Sequence, residues 1–196
     1  MNSQVDYDKL RQTLCVEKTP EGIEKRKKMF SQFDPNGNGL LSLAEVDKGI
    51  RDVLNLPDVF AMKQVIMRAF QAAKDAMPNK GQHSGDYIEK NEFRVFLVYL
   101  RQYFEYYEMF DILNTDSDKT IDYSEFLAAL PRLEKWGIKV AEPEKTFKEI
   151  DADKGGKLRF DEFCVWAVKH NLDIDTDDDF QDEALSGLKD QPVNKI

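Results

Sequence analysis

Large apolar side chains along this chain fall at helical spacing, give way to a short polar stretch, and resume, and the alternation recurs in a common frame of twelve residues beginning at Asp34, Gly81, Asn114 and Asp151. In each frame the eighth residue is aliphatic (Leu41, Ile88, Ile121, Leu158) and the twelfth is glutamate (Glu45, Glu92, Glu125, Glu162). The residue after the glutamate is apolar (Val46, Phe93, Phe126, Phe163), and so is the one four positions before the frame (Phe30, Met77, Phe110, Phe147). A helix that turns one face to a core places its apolar residues this way, so a helix is predicted on each side of every frame. Thr19-Pro20 supplies an N-cap and a first-turn proline for the first of them. Breaks are expected at Asn55 to Asp58, at Met77 to Gly81, and from Gly137 to Pro143.

The polar stretches have the chemistry of a cation cage. Calcium takes roughly six to eight oxygens, supplied from alternating positions of a loop that ends in a bidentate glutamate. The first loop offers side-chain oxygens from Asp34, Asn36 and Asn38, the carbonyl of Leu40, Ser42 directly or through water, and Glu45, with Gly39 for the sharp turn at the sixth position. Ser42 and Glu45 also form a capping box for the exiting helix, which couples ligation to the helix start. The third loop offers Asn114, Asp116, Asp118, the Thr120 carbonyl, Asp122 and Glu125. Its four carboxylates give it a stronger Coulombic pull than the two of the first, and Lys119 stands where the turn glycine belongs.

In the fourth loop Asp151, Asp153, the Lys157 carbonyl and Glu162 are in place and Gly156 makes the turn, but Gly155 has no side-chain oxygen to give. Arg159 replaces the ninth-position ligand and cannot accept as an N-cap, so weaker binding is expected there. The second loop starts at Gly81 and has Asp86 at the turn position, so it is expected to hold no metal and to support its partner through Ile88. The expected fold is all-α, with four EF-hand helix-loop-helix units arranged as two paired lobes. The expected boundaries are an N-terminal segment at 1–18, a first pair at 19–100, a second pair at 101–172 and an acidic tail at 173–196. Within each pair, short two-stranded contacts join Leu41 with Ile88 and Ile121 with Leu158. Two or three calcium ions are expected as cofactors.

Charge narrows the partners. A formal net charge of −9 over 196 residues disfavours nucleic acid. Cys15 and Cys164 lie at opposite ends of the chain without metal-ligand or disulfide spacing, and no secretory signal opens the sequence, so a reducing, cytoplasmic setting is expected. His83 and His170 lack a second ligand at zinc spacing and are expected at surface or cap positions. Phe93, Phe96, Tyr99, Tyr103, Phe104, Tyr107 and Phe110 are expected as core, with a ligand-lined groove as the alternative. Asp173 to Asp179 imitates a loop, but it has Asp178 at the turn position and Ala184 where the closing glutamate belongs, so it is expected as solvated tail.

Several runs go beyond a generic calcium loop. Asn91-Glu-Phe-Arg, Tyr103-Phe-Glu, Met109-Phe-Asp, Pro131-Arg-Leu-Glu-Lys-Trp-Gly-Ile-Lys-Val140, Phe147-Lys-Glu, Phe160-Asp-Glu-Phe and Trp166 resemble the calflagins, the flagellar calcium-binding proteins of trypanosomatids, and more loosely the calcium-binding proteins of ciliates. The resemblance implies a four-hand sensor with a degenerate second hand, calcium in the third and fourth hands, and visits to the flagellar membrane. Asn2 stands where the family's acyl anchor needs glycine, so no N-myristoylation signal is expected in this sequence. The first loop is also more complete than the family habit.

The expected function is therefore that of a calcium sensor, not an enzyme, which exposes apolar surface to a target helix or a membrane when Glu45, Glu125 and Glu162 are drawn onto metal. A calcium buffer of the sarcoplasmic type is the nearer alternative, and a calcium-regulated photoprotein or luciferin-binding protein the more distant one.

Overall fold

The computed structural model describes residues 12–54, 63–76 and 86–170. The breaks expected at Asn55 to Asp58 and Met77 to Gly81, together with His83, the acidic tail and Asn2, lie outside the described residues.

Helix α1, Pro20–Phe33, begins as the sequence requires: the Gly22 N–H donates to Thr19 Oγ1 at 3.1 Å, and proline occupies the first turn. Strand β1, Leu40–Ser42, leads directly into α2, Leu43–Leu54. Helix α3, Lys63–Ala76, and strand β2, Tyr87–Glu89, precede α4, Phe93–Leu113, the longest element among the described residues. The chain then forms α5, Tyr123–Lys135, α6, Pro143–Ile150, and α7, Phe160–Lys169. The expected break from Gly137 to Pro143 separates α5 from α6, with Gly137 at φ 87°. Among the described residues no helix is long and apolar enough to cross a membrane.

Both loop pairings form in the expected register. β1 and β2 are antiparallel with Leu41 opposite Ile88, and Ile121 forms a lone antiparallel bridge with Leu158, closed by two backbone hydrogen bonds of 2.9 and 2.8 Å. All four aliphatic side chains are fully buried, so each contact pins two loops to one core.

α4 is the axis of the molecule. A helix apolar on most sides must be surrounded by protein, and Phe93, Phe96, Tyr99, Tyr103, Phe104 and Phe110 are all buried, with Tyr107 partly so. Because α4 runs without interruption through residue 100, the helix that leaves the second unit is the helix that enters the third. At its start Phe30 and Phe33 of α1 meet Phe93 edge-on, with centroids 5.2 and 5.5 Å away. At its end Phe110 lies 5.6 Å from Phe160 and 5.7 Å from Phe163 of α7. Ahead of α1, Leu14 and Val16 are fully buried, and the Arg94 guanidinium donates to the Val16 carbonyl at 2.9 Å, which ties this segment to α4.

Gly49 explains how closely α1 and α2 approach: a Cβ there would lie 2.4 Å from the Phe33 ring. Cys15 and Cys164 are free, buried thiols, and burial pushes both above the ordinary thiol value.

Candidate functional site

The first, third and fourth loops follow one backbone path despite different residues. Gly39, Lys119 and Gly156, the sixth residues, have φ of 78°, 68° and 77°, and Gly37, Ser117 and Lys154, the fourth residues, have φ of 69°, 61° and 59°. The left-handed conformation at Lys119 is thus adopted despite its side chain, at a cost of about 1–2 kcal/mol. The fourth-position turn was not foreseen, since Ser117 and Lys154 announce nothing left-handed in sequence.

In the first loop Asp34 is buried and accepts from the Asn38 and Gly39 N–H groups at 3.1 and 2.9 Å. Asn36 and Asn38 accept from N–H groups two residues on, at 2.9 and 2.8 Å, which folds the loop inward around its oxygens. Asn36 also donates to Glu45 Oε1 at 2.6 Å, so the third and twelfth positions already meet. The capping box is complete: the Ser42 N–H donates to Glu45 Oε2 at 2.9 Å and the Glu45 N–H to Ser42 Oγ at 3.3 Å. Leu40 lies in β1, where the loop is held by pairing with Glu89.

The third loop repeats the box through Asp122 and Glu125 at 3.0 and 2.9 Å. Glu125 Oε1 also accepts from the Thr115 N–H at 2.7 Å and its hydroxyl at 2.8 Å. Burial would raise the Glu125 carboxyl, but hydrogen bonds from Asp122 and Thr115 outweigh it and hold the group below its ordinary value. Ser124 and the Glu125 N–H do the same for Asp122. Asp116 accepts from the Asp118 N–H at 3.0 Å. Asp118 accepts from Lys157 Nζ and from both polar groups of Thr120, and these bonds hold its carboxyl down at about 2.

In the fourth loop Asp151 accepts from Gly155 and Gly156 at 2.9 and 3.0 Å, as Asp34 does in the first. Only half of a capping box forms: the Arg159 N–H donates to Glu162 Oε2 at 2.9 Å, while the Arg159 side chain, having no acceptor, gives nothing back. Its guanidinium turns instead to Asp153 Oδ2 at 2.7 Å.

Two observations test these loops for a cation. Asn114 is buried and its Oδ1 has no hydrogen-bond partner, although the corresponding Asp34 and Asp151 carboxylates each accept two N–H bonds. An orphaned buried oxygen at the first position is an acceptor kept for something other than the chain. Asp151, Asp153 and Glu162 bring one carboxylate oxygen each to within 4.8 Å of one another, about the span that bonds of ~2.3–2.6 Å to one ion would bridge. The donor chemistry fits calcium in all three loops. Among the described residues that convergence of three carboxylates occurs in the fourth loop, not in the third, whose larger number of carboxylates predicted the stronger site. In the third loop Lys157 and Thr120 hold Asp118, and Ser124 holds Asp122 at the helix cap. Of the second loop only residues from Asp86 onward are described; there the Glu89 N–H donates to Glu92 Oε2 at 2.8 Å, which repeats the closing turn.

The side-chain cations that pair with these oxygens carry no signal in the sequence. The loop frame assigns Lys157 only a carbonyl and Arg159 only a missing ligand, and neither shows in sequence which carboxylate its side chain reaches. Thr115 was also missed; a hydroxyl one residue after the first loop position was its only signal.

The comparisons with known proteins agree with this geometry. Residues 10–100 match the flagellar calcium-binding protein (FCaBP) EF-hand domain, and residues 103–167 match the EF-hand domain pair. The flagellar calcium-binding protein of Trypanosoma cruzi is 37% identical, covering 88% of this chain and 83% of that protein. Flagellar calcium-binding protein TB-24 of Trypanosoma brucei brucei is 34% identical, covering 93% of this chain and 85% of that protein. A solved structure, of a homolog of programmed cell death 6 protein from Leishmania major Friedlin, covers 90% of this chain and 97% of that one at 17% identity, with a TM-score of 0.39, too low to speak for the arrangement of the hands. With its helix-loop-helix repeats, paired loops and oxygen-lined turns, the chain is a calcium-binding EF-hand protein, and it belongs to the flagellar calcium-binding protein family, the calflagins.

Proposed function

We propose that this protein is a calcium sensor whose first, third and fourth hands bind up to three ions. The ligands are Asp34, Asn36, Asn38, the Leu40 carbonyl, Ser42 and Glu45; Asn114, Asp116, Asp118, the Thr120 carbonyl, Asp122 and Glu125; and Asp151, Asp153, the Lys157 carbonyl and Glu162. The observation that supports the reading best is the position of Glu45, Glu125 and Glu162. Each closes its loop and also lies in the first turn of its exiting helix, bonded to the backbone there. A change in where such a carboxylate points is a change in helix orientation.

The partner is an apolar face of a target helix, or a membrane surface, in the flagellum that the relatives' names indicate. Among the described residues, Tyr123 and Leu127, one turn apart on α5, are two of the large apolar side chains left exposed, which supports a contact there. Calorimetry of the wild type beside Glu45→Gln, Glu125→Gln and Glu162→Gln gives the site count, and each substitution is expected to remove one ion. Heteronuclear NMR then separates sensor from buffer: shifts that spread along α2, α5 and α7 on adding calcium support the sensor, whereas shifts confined to the loops would make the protein a buffer.

A further inference from the structure

The exiting helix of the fourth hand is held at its first turn by a residue of the second. Arg68, on α3, donates to one Asp161 carboxylate oxygen twice, from Nε at 3.1 Å and from a terminal guanidinium nitrogen at 2.8 Å. The Arg68 side chain is 16% exposed and that of Asp161 43%. Asp161 is the second residue of α7 and the neighbour of Glu162, which closes the fourth loop. The same turn also packs on α4, where Phe160 meets Tyr107 at 5.2 Å and Phe110 at 5.6 Å. The aromatic contacts set how closely α7 sits on α4, but rings slide over one another easily. A rigid guanidinium fork, largely sheltered from water, fixes the rotation of the turn about the helix axis. With α7 held this way, Glu162 reaches within 4.8 Å of Asp151 and Asp153.

We propose that Arg68 is a positioning residue for the calcium site of the fourth hand: the second hand, whose own loop offers no full ligand set, orients the helix that bears Glu162. The proposal rests on the reading of the fourth hand as a calcium site. It gives α3 a role that its loop does not reveal, and it joins the two lobes through a contact of ninety-three residues' separation in sequence. Thermodynamic coupling is reciprocal. If the Arg68–Asp161 contact favours calcium at the fourth loop, calcium there strengthens the contact and quiets α3.

The test uses the full chain with Glu45→Gln and Glu125→Gln, which leaves the fourth hand to report alone, and adds Arg68→Met or Arg68→Lys. Calorimetry with Ca²⁺ gives its affinity, and amide hydrogen exchange with and without Ca²⁺ reports on α3. Arg68→Met is expected to weaken the fourth hand about fivefold or more, and Arg68→Lys to recover part of the loss. Calcium should slow exchange in α3 when Arg68 is present and not when methionine replaces it. In a parallel Glu162→Gln background, the first and third hands should keep their affinities with either residue at position 68. A fourth-hand affinity unchanged within about twofold, or an equal weakening of all hands, overturns the proposal. If the protein with Arg68 intact takes up no calcium that Glu162→Gln abolishes, the reading of the fourth hand fails first, and the role of Arg68 falls with it.

Discussion

The Lys157 ammonium donates to Asp118 Oδ2 at 2.6 Å, although the two residues belong to different hands. The bridge between Ile121 and Leu158 makes the contact possible, because it sets the seventh position of the fourth loop beside the third loop. Lys157 thus faces two ways: its carbonyl belongs to its own loop, while its side chain holds a carboxylate of the neighbouring one. The hydrogen bond lowers Asp118 and raises Lys157 from their ordinary values, as an ion pair must.

An ammonium on a ligand competes with calcium. Lys157→Met is therefore expected to tighten calcium binding at the third hand by about two- to fivefold, the scale of an exposed ion pair. Calorimetry in a Glu45→Gln and Glu162→Gln background measures it. A weaker third hand in the variant would mean that Lys157 organises the loop rather than opposing the ion.

Arg159 opposes the fourth hand twice, by pairing with Asp153 and by leaving α7 without a side-chain cap. Arg159→Ser removes the first effect and supplies both an N-cap acceptor and a ninth-position oxygen. The metal-free protein should gain about 1 kcal/mol, as N-caps typically contribute, and the fourth hand should bind calcium more tightly. Urea unfolding in chelator and calcium titration read the two separately; a stability loss in chelator would contradict the capping argument.

At Gly49 two effects oppose each other. Alanine is the better helix former by about 1 kcal/mol, but its Cβ would come within 2.4 Å of the buried Phe33 ring, which itself packs on Phe93. Overpacking of this kind costs about 1–3 kcal/mol. Gly49→Ala should therefore lower the denaturation midpoint and weaken the first hand, whose Asp34 follows Phe33 directly. An increase in stability would show that α1 and α2 separate freely.

Alkaline titration reads the core around α4. Burial, helped by the Asp75 charge, pushes the Tyr99 phenol up to about 12, and burial also raises Tyr103. Both folded values lie above the unfolded one of about 10. This contribution to stability is therefore complete below pH ~10 and is lost as pH rises toward the folded values, because the unfolded chain releases these protons first. Phenolate absorbance should show the two tyrosines ionising only as the protein unfolds. A smooth titration of all seven near the ordinary value in folded protein would contradict their burial.

Much of this protein is legible in its sequence. Backbone oxygens and side chains at fixed offsets in a short loop meet whatever the rest of the chain does, so the frames at Asp34, Asn114 and Asp151, the left-handed Lys119, the Ser42–Glu45 box and the helix starts follow from local spacing. Even the pairing of Leu41 with Ile88 and of Ile121 with Leu158 was readable, because the repeat fixes which residues correspond. What pairs with the loops from elsewhere was not readable. Lys157 on Asp118 and Arg68 on Asp161 join different hands, so their partners depend on how the hands pack, while Arg159 reaches Asp153 through the rotamer it takes within its own loop, and Gly49 matters only because Phe33 lies opposite. Sequence spacing determines contacts within a turn of the backbone; contacts between turns exist only once the aromatic packing along α4 has set the helices at their distances.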